Sequence, residues 1–208
     1  MNTNTENINT TNHANTHAGT EDTSVSIIVD GKPVCYEFDT LNTFHKGDSW
    51  FGCAVGFRAM QIAARELSAS TLWSRDKLSI ISGHPGAGVK DAIELVSGTI
   101  STNHFQLLDN IAAQGCNRFM KFEWWLSDTE RTLHIKLRDN IVPETFFLLL
   151  DRLSNDDYLT DDEKENERSK FDQMKSDLSD EIWNQSLDAS FEFTFLTTPL
   201  KAGEMPDD

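Results

Sequence analysis

The sequence predicts an α+β fold, in which an antiparallel or mixed sheet has helices packed mainly on one side. Two segments alternate apolar and polar residues and predict β-hairpins, at 24–39 and 119–138. Residues 54–68 place apolar side chains three and four positions apart, which indicates a buried helix. Residues 77–97 predict a short strand, a glycine-rich loop and a second helix.

The first predicted hairpin, Ser24–Asp39, has alternating apolar side chains on both of its strands. The pair Asp30-Gly31 stands between the strands, and an Asp-Gly pair is a strong signal for a two-residue hairpin turn. The second hairpin combines Phe119–Leu126 with Thr132–Arg138. One of its faces is apolar and the other carries charged and histidine side chains, which predicts a half-solvated antiparallel pair.

Two helices and two short strands are predicted in the first half of the chain. The helix Ala54–Ser68 is rich in alanine and in long, straight side chains, which favour helices. The helix Val89–Ser97 is followed by Gly98, a natural C-terminal cap. The strand Lys77–Ser82 precedes this helix, and Phe105–Leu108 predicts another short strand.

The second half is predicted to hold two further helices and a final strand. The helix Pro143–Leu153 begins with proline, which suits the first helical turn. Thr160 and Glu163 have the spacing of a capping box, which predicts that a long acidic helix begins near Asp161. The last strand, Ala189–Leu196, alternates phenylalanine with polar residues.

Length and composition indicate one domain with two tails. A chain of 208 residues favours a single core, here residues 24–198. The Asn/Thr-rich segment 1–23 and the polar segment 199–208 are predicted to be disordered, because they cannot bury apolar surface. There is no secretory signal pattern and no apolar run of membrane-spanning length. The three widely spaced cysteines give no disulfide framework, and so predict a cytoplasmic protein.

The charge of the chain disfavours two kinds of partner. The formal net charge is −16, and most of it lies in residues 143–208. A chain this acidic is repelled by phosphate backbones and by anionic lipid, so neither nucleic acid nor a membrane is an expected partner. The simplest interpretation of the acidic run is a solvated helix face.

Two glycine-rich loops, at 44–56 and 83–91, are predicted to form a ligand or metal pocket. The first contains His45, Asp48 and several aromatic residues, and resembles a structured loop more than a linker. The second joins a strand to a helix, so its backbone amides could hold an anion at the helix N-terminus. The alternative is that its glycines only permit a tight turn.

Three motifs in these segments resemble one protein family. Residues 52–59, GCAVGFRA, are similar to the signature G-x-A-x-G-[YF]-R-A, and residues 91–98, DAIELVSG, to D-A-I-Q-x-x-T-G. Phe44-His45 resembles the opening F-H-G-H-x-C-P-G. These are motifs of the formylmethanofuran dehydrogenase E-subunit family, and the resemblance covers roughly residues 41–197. It implies the fold of that family, and a homodimer, since stand-alone members are often dimeric.

The chain departs from the family pattern at its cysteines. Asp48-Ser49-Trp50-Phe51 replaces the opening His-x-Cys-Pro, and Gly88 and Thr99 stand at two further cysteine positions. The cysteine-bearing zinc module found at the C-terminus of many members is absent. The cysteine-rich metal site of the family therefore does not carry over to this chain.

A replacement metal site is one hypothesis for the two loops. Its candidate ligands are His45, Asp48, Cys53 and His84. Imidazole, carboxylate and thiolate groups suit a divalent metal, with zinc as the preferred ion. The alternative is that both histidines are ordinary loop residues and that Cys53 is a small buried hydrophobe.

An organic or anionic ligand is the other hypothesis, with Arg58, Gly86, Gly88 and Asp91 as candidate contacts. Arg58 falls outside the apolar stripe of its helix and could donate to an anion. It could equally form a surface salt bridge with Glu94 or Asp91. Asp91 could also serve only to stabilise the dipole of the second helix.

The sequence thus predicts a small-ligand or metal-binding protein. Two alternatives stay open: a small-molecule enzyme that uses His45 or His84 as acid or base, and a non-catalytic subunit of a larger complex. Trp124, Trp125 and the pair Phe146-Phe147 could supply a homodimer interface, although core packing explains them equally well.

Overall fold

The computed structural model describes residues 23–48, 50–68, 70–108, 115–155, 159–201 and 203–206, which form the predicted α+β fold. The predicted disordered segment 1–23 lies outside the described residues, except for Thr23. The described strands are β1 (Ser24–Val29), β2 (Lys32–Glu37), β3 (Ser79–Ser82), β4 (Phe105–Leu107), β5 (Glu123–Ser127), β6 (Thr132–Leu137) and β7 (Phe191–Phe195). The described helices are α1 (Phe38–Phe44), α2 (Trp50–Leu67), α3 (Ala87–Ser97), α4 (Glu144–Ser154), α5 (Asp161–Asn184) and α6 (Leu187–Ser190), with a 3-10 turn at Arg75–Lys77.

The strands form a mixed five-stranded sheet and a separate hairpin. The order in the large sheet is β4-β3-β5-β6-β7, in which only β3 and β4 are parallel. The hairpin β1-β2 confirms the first prediction, and its turn residues Asp30 and Gly31 have φ angles of 50° and 74°. Positive φ at both positions is what a type I′ turn requires. The pairing of β5 with β6 confirms the second predicted hairpin.

Helices cover one face of the large sheet, as predicted, and α2 lies at the centre of this layer. Every residue from Cys53 to Ala63 is buried, because α2 packs against α3, α5, β1 and β6. The sheet meets it with the side chains of Trp124, Leu126 and Ile135, which are fully buried in the same core. A helix enclosed in this way is stabilised mainly by tertiary packing.

Helix capping follows the sequence closely. Gly98 ends α3 in the left-handed conformation, with a φ of 64°. Thr160 and Glu163 form the predicted capping box at the start of α5. Pro143 caps α4, although the helix proper begins one residue later.

The structured loop predicted at 44–56 is largely helical in the structure. Helix α1 extends to Phe44 and α2 already begins at Trp50, so only residues 45–49 connect them. Only Leu41 is buried in α1, which explains why no helical period is visible there. The first turn of α2 contains aromatic residues and Gly52, which disfavour helices by propensity, and its packing overrides that preference.

Several aromatic residues proposed for a dimer interface are in fact buried. Trp124, Trp125 and Phe146 are at most 7% exposed, and Phe147 is half-buried against the core. Trp125 faces away from α2, where its ring stacks on His134 at a centroid distance of 4.4 Å. Core and sheet packing therefore account for these side chains, and the homodimer stays a prediction.

Part of the C-terminal segment lies on the sheet face opposite the helices. The sequence predicts that 199–208 is a polar, disordered tail. Within the described residues, the backbone N–H of Leu200 donates a 2.8 Å hydrogen bond to Thr132 Oγ1. This bond satisfies a hydroxyl that is fully buried, so the contact has a physical reason.

Two glycines allow α2 and α3 to approach closely. A methyl group on Gly56 would lie 3.0 Å from both the Cβ of Ala92 and the Cα of Val89. A methyl group on Gly52, one turn earlier, would lie 3.4 Å or more from its neighbours. Gly56 is therefore the point at which the helices have no room for a side chain.

Replacing Gly56 with alanine is expected to lower the free energy of unfolding by about 1–3 kcal/mol, because the added methyl group presses on the backbone of α3. Gly52→Ala is the matched control, since it adds the same group at ordinary contact distance. Alanine also favours a helix over glycine by up to about 1 kcal/mol, so this variant should be as stable as the wild type or slightly more stable. Urea denaturation followed by circular dichroism measures both changes. Equal losses in the two variants would contradict the close contact.

Candidate functional site

The beginnings of α2 and α3 meet, which brings the two predicted loops into contact. The position of a methyl group on Gly52 is 3.6 Å from the Cα of Gly88 and 3.4 Å from the backbone N of Val89. The predicted ligand residue Gly88 is thus buried in a helix contact, and Gly86 is the residue before the first turn of α3.

His45 is held by Asp91 across this junction. Its Nδ1 lies 2.7 Å from Asp91 Oδ2, and its side chain is only 3% exposed. A carboxylate accepts hydrogen bonds, so the proton of this bond lies on Nδ1. Trp50 packs edge-on against the imidazole, with ring centroids 5.5 Å apart. This arrangement ties the loop at 45–49 to the first turns of α3 and orients Trp50.

Cys53 lies in the core beneath His45. Its side chain is fully buried, and burial together with the negative charge of Asp91 raises its pKa to about 12. The thiolate is the form that binds zinc, whereas Cys53 is a protonated thiol at neutral pH. The structure therefore agrees with the alternative in which Cys53 is a small buried hydrophobe.

His84 occupies a separate buried position in the strand-to-helix loop. Its Nδ1 accepts a 3.0 Å hydrogen bond from the backbone N–H of Gly86, which places the proton of the neutral ring on Nε2. Ser82 Oγ donates to the carbonyl of His84 and accepts from its N–H. Burial lowers the pKa of the imidazole to about 4, so the ring is neutral at physiological pH.

The space beside His84 is filled by neighbouring groups. Its ring meets Phe122 at a centroid distance of 4.6 Å. A methyl group on Gly86 would lie 2.5 Å from His84 Cε1 and 3.3 Å from Cys116 Sγ. A side chain at position 86 would collide with the imidazole of His84, so the close packing at this point requires glycine.

Arg58 differs from the exposed position that its helical spacing predicts. The residue is 1% exposed, and its Nη1 donates to Gln61 Oε1 at 3.1 Å. Its Nη2 donates to the carbonyl of Gln185, the residue that ends α5, at 2.5 Å. The guanidinium thus connects α2 to the end of α5 and is not available to a ligand at the surface. The spacing misleads here because every face of α2 in this region is covered by another element.

The four predicted metal ligands occupy different surroundings. Asp48 lines a surface groove, whereas His45, Cys53 and His84 are buried. Within the part of the chain that the structure describes, no three His, Cys, Asp or Glu side chains form a group that could hold a metal ion. Zinc binding by these residues therefore stays a prediction.

The groove that contains Asp48 is a cavity of about 780 Å³. It runs between α1, the start of α2 and the second half of α5, and we call it the α1–α5 groove. Its aromatic lining consists of Phe38, Trp50 and Trp183. Its carboxylate lining consists of Asp48, Asp172 and Asp180.

The aromatic residues of the groove are anchored in the core on one side. Trp183 packs on Phe38 at 4.5 Å and on Phe57 at 6.3 Å between ring centroids. The guanidinium of Arg58 lies 5.2 Å from the centre of the Trp183 ring. Trp50 is 40% exposed and lines the groove. One wall is thus packed on the core, and a partly exposed tryptophan also lines the cavity.

The charges in the groove are unevenly compensated. Lys175 is the one cation among the described lining residues, and its Nζ lies 2.8 Å from Asp172 Oδ1. Among the described residues, neither Asp48 nor Asp180 has an ion-pair partner. Two carboxylates of the groove are therefore left without a cation from the described part of the chain.

A second cavity, of about 420 Å³, is better compensated. It is lined by Lys121, Lys136 and Arg138, among others. Lys121 lies 3.4 Å from Glu123, Lys136 lies 3.1 Å from Asp139, and Arg138 lies 3.6 Å from Glu192. Each cation already has a carboxylate partner, so this cavity offers less to an anionic ligand than its composition indicates.

Sequence patterns alone missed the α1–α5 groove. Its walls come from two parts of the chain more than a hundred residues apart, and α1 gave no helical signal. The one available indication was Trp183, which stands at the edge of the apolar stripe of α5. A large aromatic residue at such an edge is a candidate for a partly exposed site.

Comparison with protein-family models and with curated proteins finds no match to this chain. The resemblance to the formylmethanofuran dehydrogenase E-subunit family therefore stays a prediction. No helix within the described residues is both long and apolar enough to cross a bilayer.

The free energy of unfolding is expected to fall by about 3 kcal/mol as the pH drops from 6.5 to about 4, through His84 alone. In this window the unfolded chain binds a proton that the buried imidazole excludes, so stability rises with pH. The contribution is complete above pH 6.5.

His84→Asn tests this linkage because asparagine keeps an acceptor near the N–H of Gly86 but does not titrate. Urea denaturation at several pH values should show the wild type losing its advantage over the variant between pH 6.5 and about 4. Parallel stability curves for the two proteins would show that His84 does not titrate with a lowered pKa.

Proposed function

We propose that this protein binds a small organic molecule in the α1–α5 groove. The observation that carries the proposal is a cavity of about 780 Å³ in which three aromatic side chains stand among seven polar or charged residues. Small-molecule sites are typically concave, about 300–1,000 Å³ in volume, and lined by apolar and aromatic side chains with a small number of polar groups. The groove matches this description in its volume and in its three aromatic side chains, and it is more polar, because seven of its ten lining residues are polar or charged.

The exposure of Trp50 is a second argument for this site. Its ring is 40% exposed even though it lies next to a well-packed core. His45, which is bonded to Asp91, packs edge-on against the indole, so the ring has a protein contact that helps to position it. A rigid, exposed aromatic surface loses little entropy on binding, which favours ligand affinity.

The same geometry gives less support to catalysis at this position. No histidine is among the described residues that line the groove. His84 lies in a different part of the molecule and is packed against Phe122. Neither His45 nor His84 lines the α1–α5 groove or the cavity beside Lys121, so an acid or base at these positions has no substrate cavity there.

The metal-binding alternative also has less support than an organic ligand. It requires a thiolate at Cys53, whose pKa is raised to about 12 by burial and by Asp91, so zinc would have to displace the proton of a buried thiol. It also requires Asp48 to leave the groove and join residues that are buried. The resemblance to the E-subunit family motivates this alternative.

A thermal-shift screen with a panel of cationic, neutral and anionic metabolites tests the proposal. A ligand present at 100 times its Kd stabilises the folded state by about 2.7 kcal/mol, which raises Tm by about 5 °C or more in a chain of this size. Each active compound is then titrated by calorimetry into the wild type, Trp50→Ala and Phe119→Ala. Phe119 is the matched control because it is 67% exposed and does not line the groove.

We expect at least one compound to bind the wild type and Phe119→Ala equally, and Trp50→Ala about 10-fold more weakly. Circular dichroism confirms that the variants are folded. A panel without any active compound would contradict the proposal, as would ligands whose affinity is the same in Trp50→Ala.

A further inference from the structure

We infer that the ligand of the α1–α5 groove is an organic cation, such as a quaternary ammonium or a guanidinium compound. The inference rests on the proposed function and adds the chemical class of the ligand. It is drawn from three features of the groove: the balance of its charges, the exposed aromatic surface, and the way in which the groove already holds an ammonium group.

The first feature is an excess of negative charge. Asp48 and Asp180 approach the cavity from opposite sides, one from the loop before α2 and the other from α5. Neither forms an ion pair with any described residue. Lys46 is in the same loop as Asp48 but does not line the groove. A bound cation would therefore meet two carboxylates that are free to pair with it.

The second feature is the aromatic surface beside these carboxylates. A cation over the face of a tryptophan is attracted by the ring quadrupole, and tryptophan is the best of the aromatic residues for this contact. Trp50 is two residues from Asp48 in the sequence, and both residues line the groove. A site with both groups favours a bulky, weakly hydrated cation over an inorganic ion, because only the former gains from contact with the ring.

The third feature is Lys175, which shows how this surface holds an ammonium. Its Nζ lies 2.8 Å from Asp172 Oδ1 and 5.2 Å from the centre of the Phe171 ring. The lysine side chain is only 18% exposed, so most of it packs against the protein. A carboxylate of the groove and a ring just outside it, Phe171, thus already share one ammonium, and Asp48 and Trp50 add a carboxylate and an aromatic residue to the lining.

Charge also decides against an anionic ligand. The guanidinium of Arg58 lies behind Trp183, and it is directed to the carbonyl of Gln185 and to Gln61. The acidic charge of the whole chain raises the local concentration of cations and lowers that of anions.

Three probes of nearly the same shape and different charge test the inference. Choline carries a trimethylammonium group, 3,3-dimethylbutan-1-ol carries a neutral tert-butyl group, and 3,3-dimethylbutanoate carries the same group with a carboxylate. Each is titrated to about 20 mM at low ionic strength, which covers Kd values in the millimolar range. Binding is followed by tryptophan fluorescence and by calorimetry.

We expect choline to bind at least about 5-fold more tightly than the alcohol, and the carboxylate to bind most weakly. The choline affinity should fall by about 2- to 5-fold in Trp50→Leu, through loss of the cation–π contact. It should fall by about 2- to 10-fold in the double variant Asp48→Asn, Asp180→Asn, and at about 0.5 M salt, because surface ion pairs are modest and screened. Asp139→Asn is the matched control, since Asp139 is 82% exposed and lies outside the groove.

The outcomes separate the two proposals. If the alcohol or the carboxylate binds as tightly as choline, and binding still weakens in Trp50→Leu, the groove is a ligand site and the inference of a cation is overturned. If none of the three probes binds, or if Trp50→Leu binds choline as well as the wild type does, both the cation and the groove as its site are overturned.

Discussion

The rest of the structure depends on the contact between α2 and α3 at Gly56. The absence of a side chain there lets the backbone of α3 approach α2, and this contact brings together the first turns of both helices. His45, Trp50 and Asp91 all lie on these turns or directly before them. A wider separation of the helices would break the bond between His45 and Asp91 and release the loop that carries Asp48. The geometry of the groove therefore depends on the absence of a side chain at Gly56.

The polar residues buried around this contact form hydrogen bonds that connect neighbouring elements of the fold. Arg58 satisfies the carbonyl at the end of α5, and His84 accepts from the backbone of the turn before α3. Each of these groups would be costly to bury without its partner. Together they tie the helices and the turn to one arrangement. Residues that resemble catalytic or metal-binding groups in the sequence thus have structural partners in the described fold.

The residues of α5 divide between the core and the surface. The large acidic helix α5 contributes Leu178 and Ile182 to the core, and it contributes Asp172, Asp180 and the edge of Trp183 to the groove. The acidic segment that the sequence predicts to be a solvated helix face therefore also forms one wall of the α1–α5 groove. Most of its other carboxylates remain solvated, which agrees with the simplest interpretation of the charge. The groove is the place where that charge is combined with aromatic surface.

The sequence by itself determined the local structure of this protein. The turn at Asp30-Gly31, the cap at Gly98 and the capping box at Thr160 each depend on residues within a few positions of one another, so short-range rules predict them. The alternation of Trp124 and Leu126 against Glu123 predicted the faces of the hairpin for the same reason. Helix α1 and the early start of α2 escaped prediction, because packing overrides weak propensity there.

Only the tertiary structure decided which side chains are buried and which share a cavity. Arg58 has the spacing of an exposed residue, yet α5 and its neighbours enclose it. Asp48 and Trp50 meet Asp180 and Trp183 only because α5 folds back across the start of α2. Such contacts join residues more than a hundred positions apart, and no local period or motif records them. Of the site residues that the sequence predicts, only Asp48 lines the groove, because its lining and its charge balance depend on the packing of distant helices.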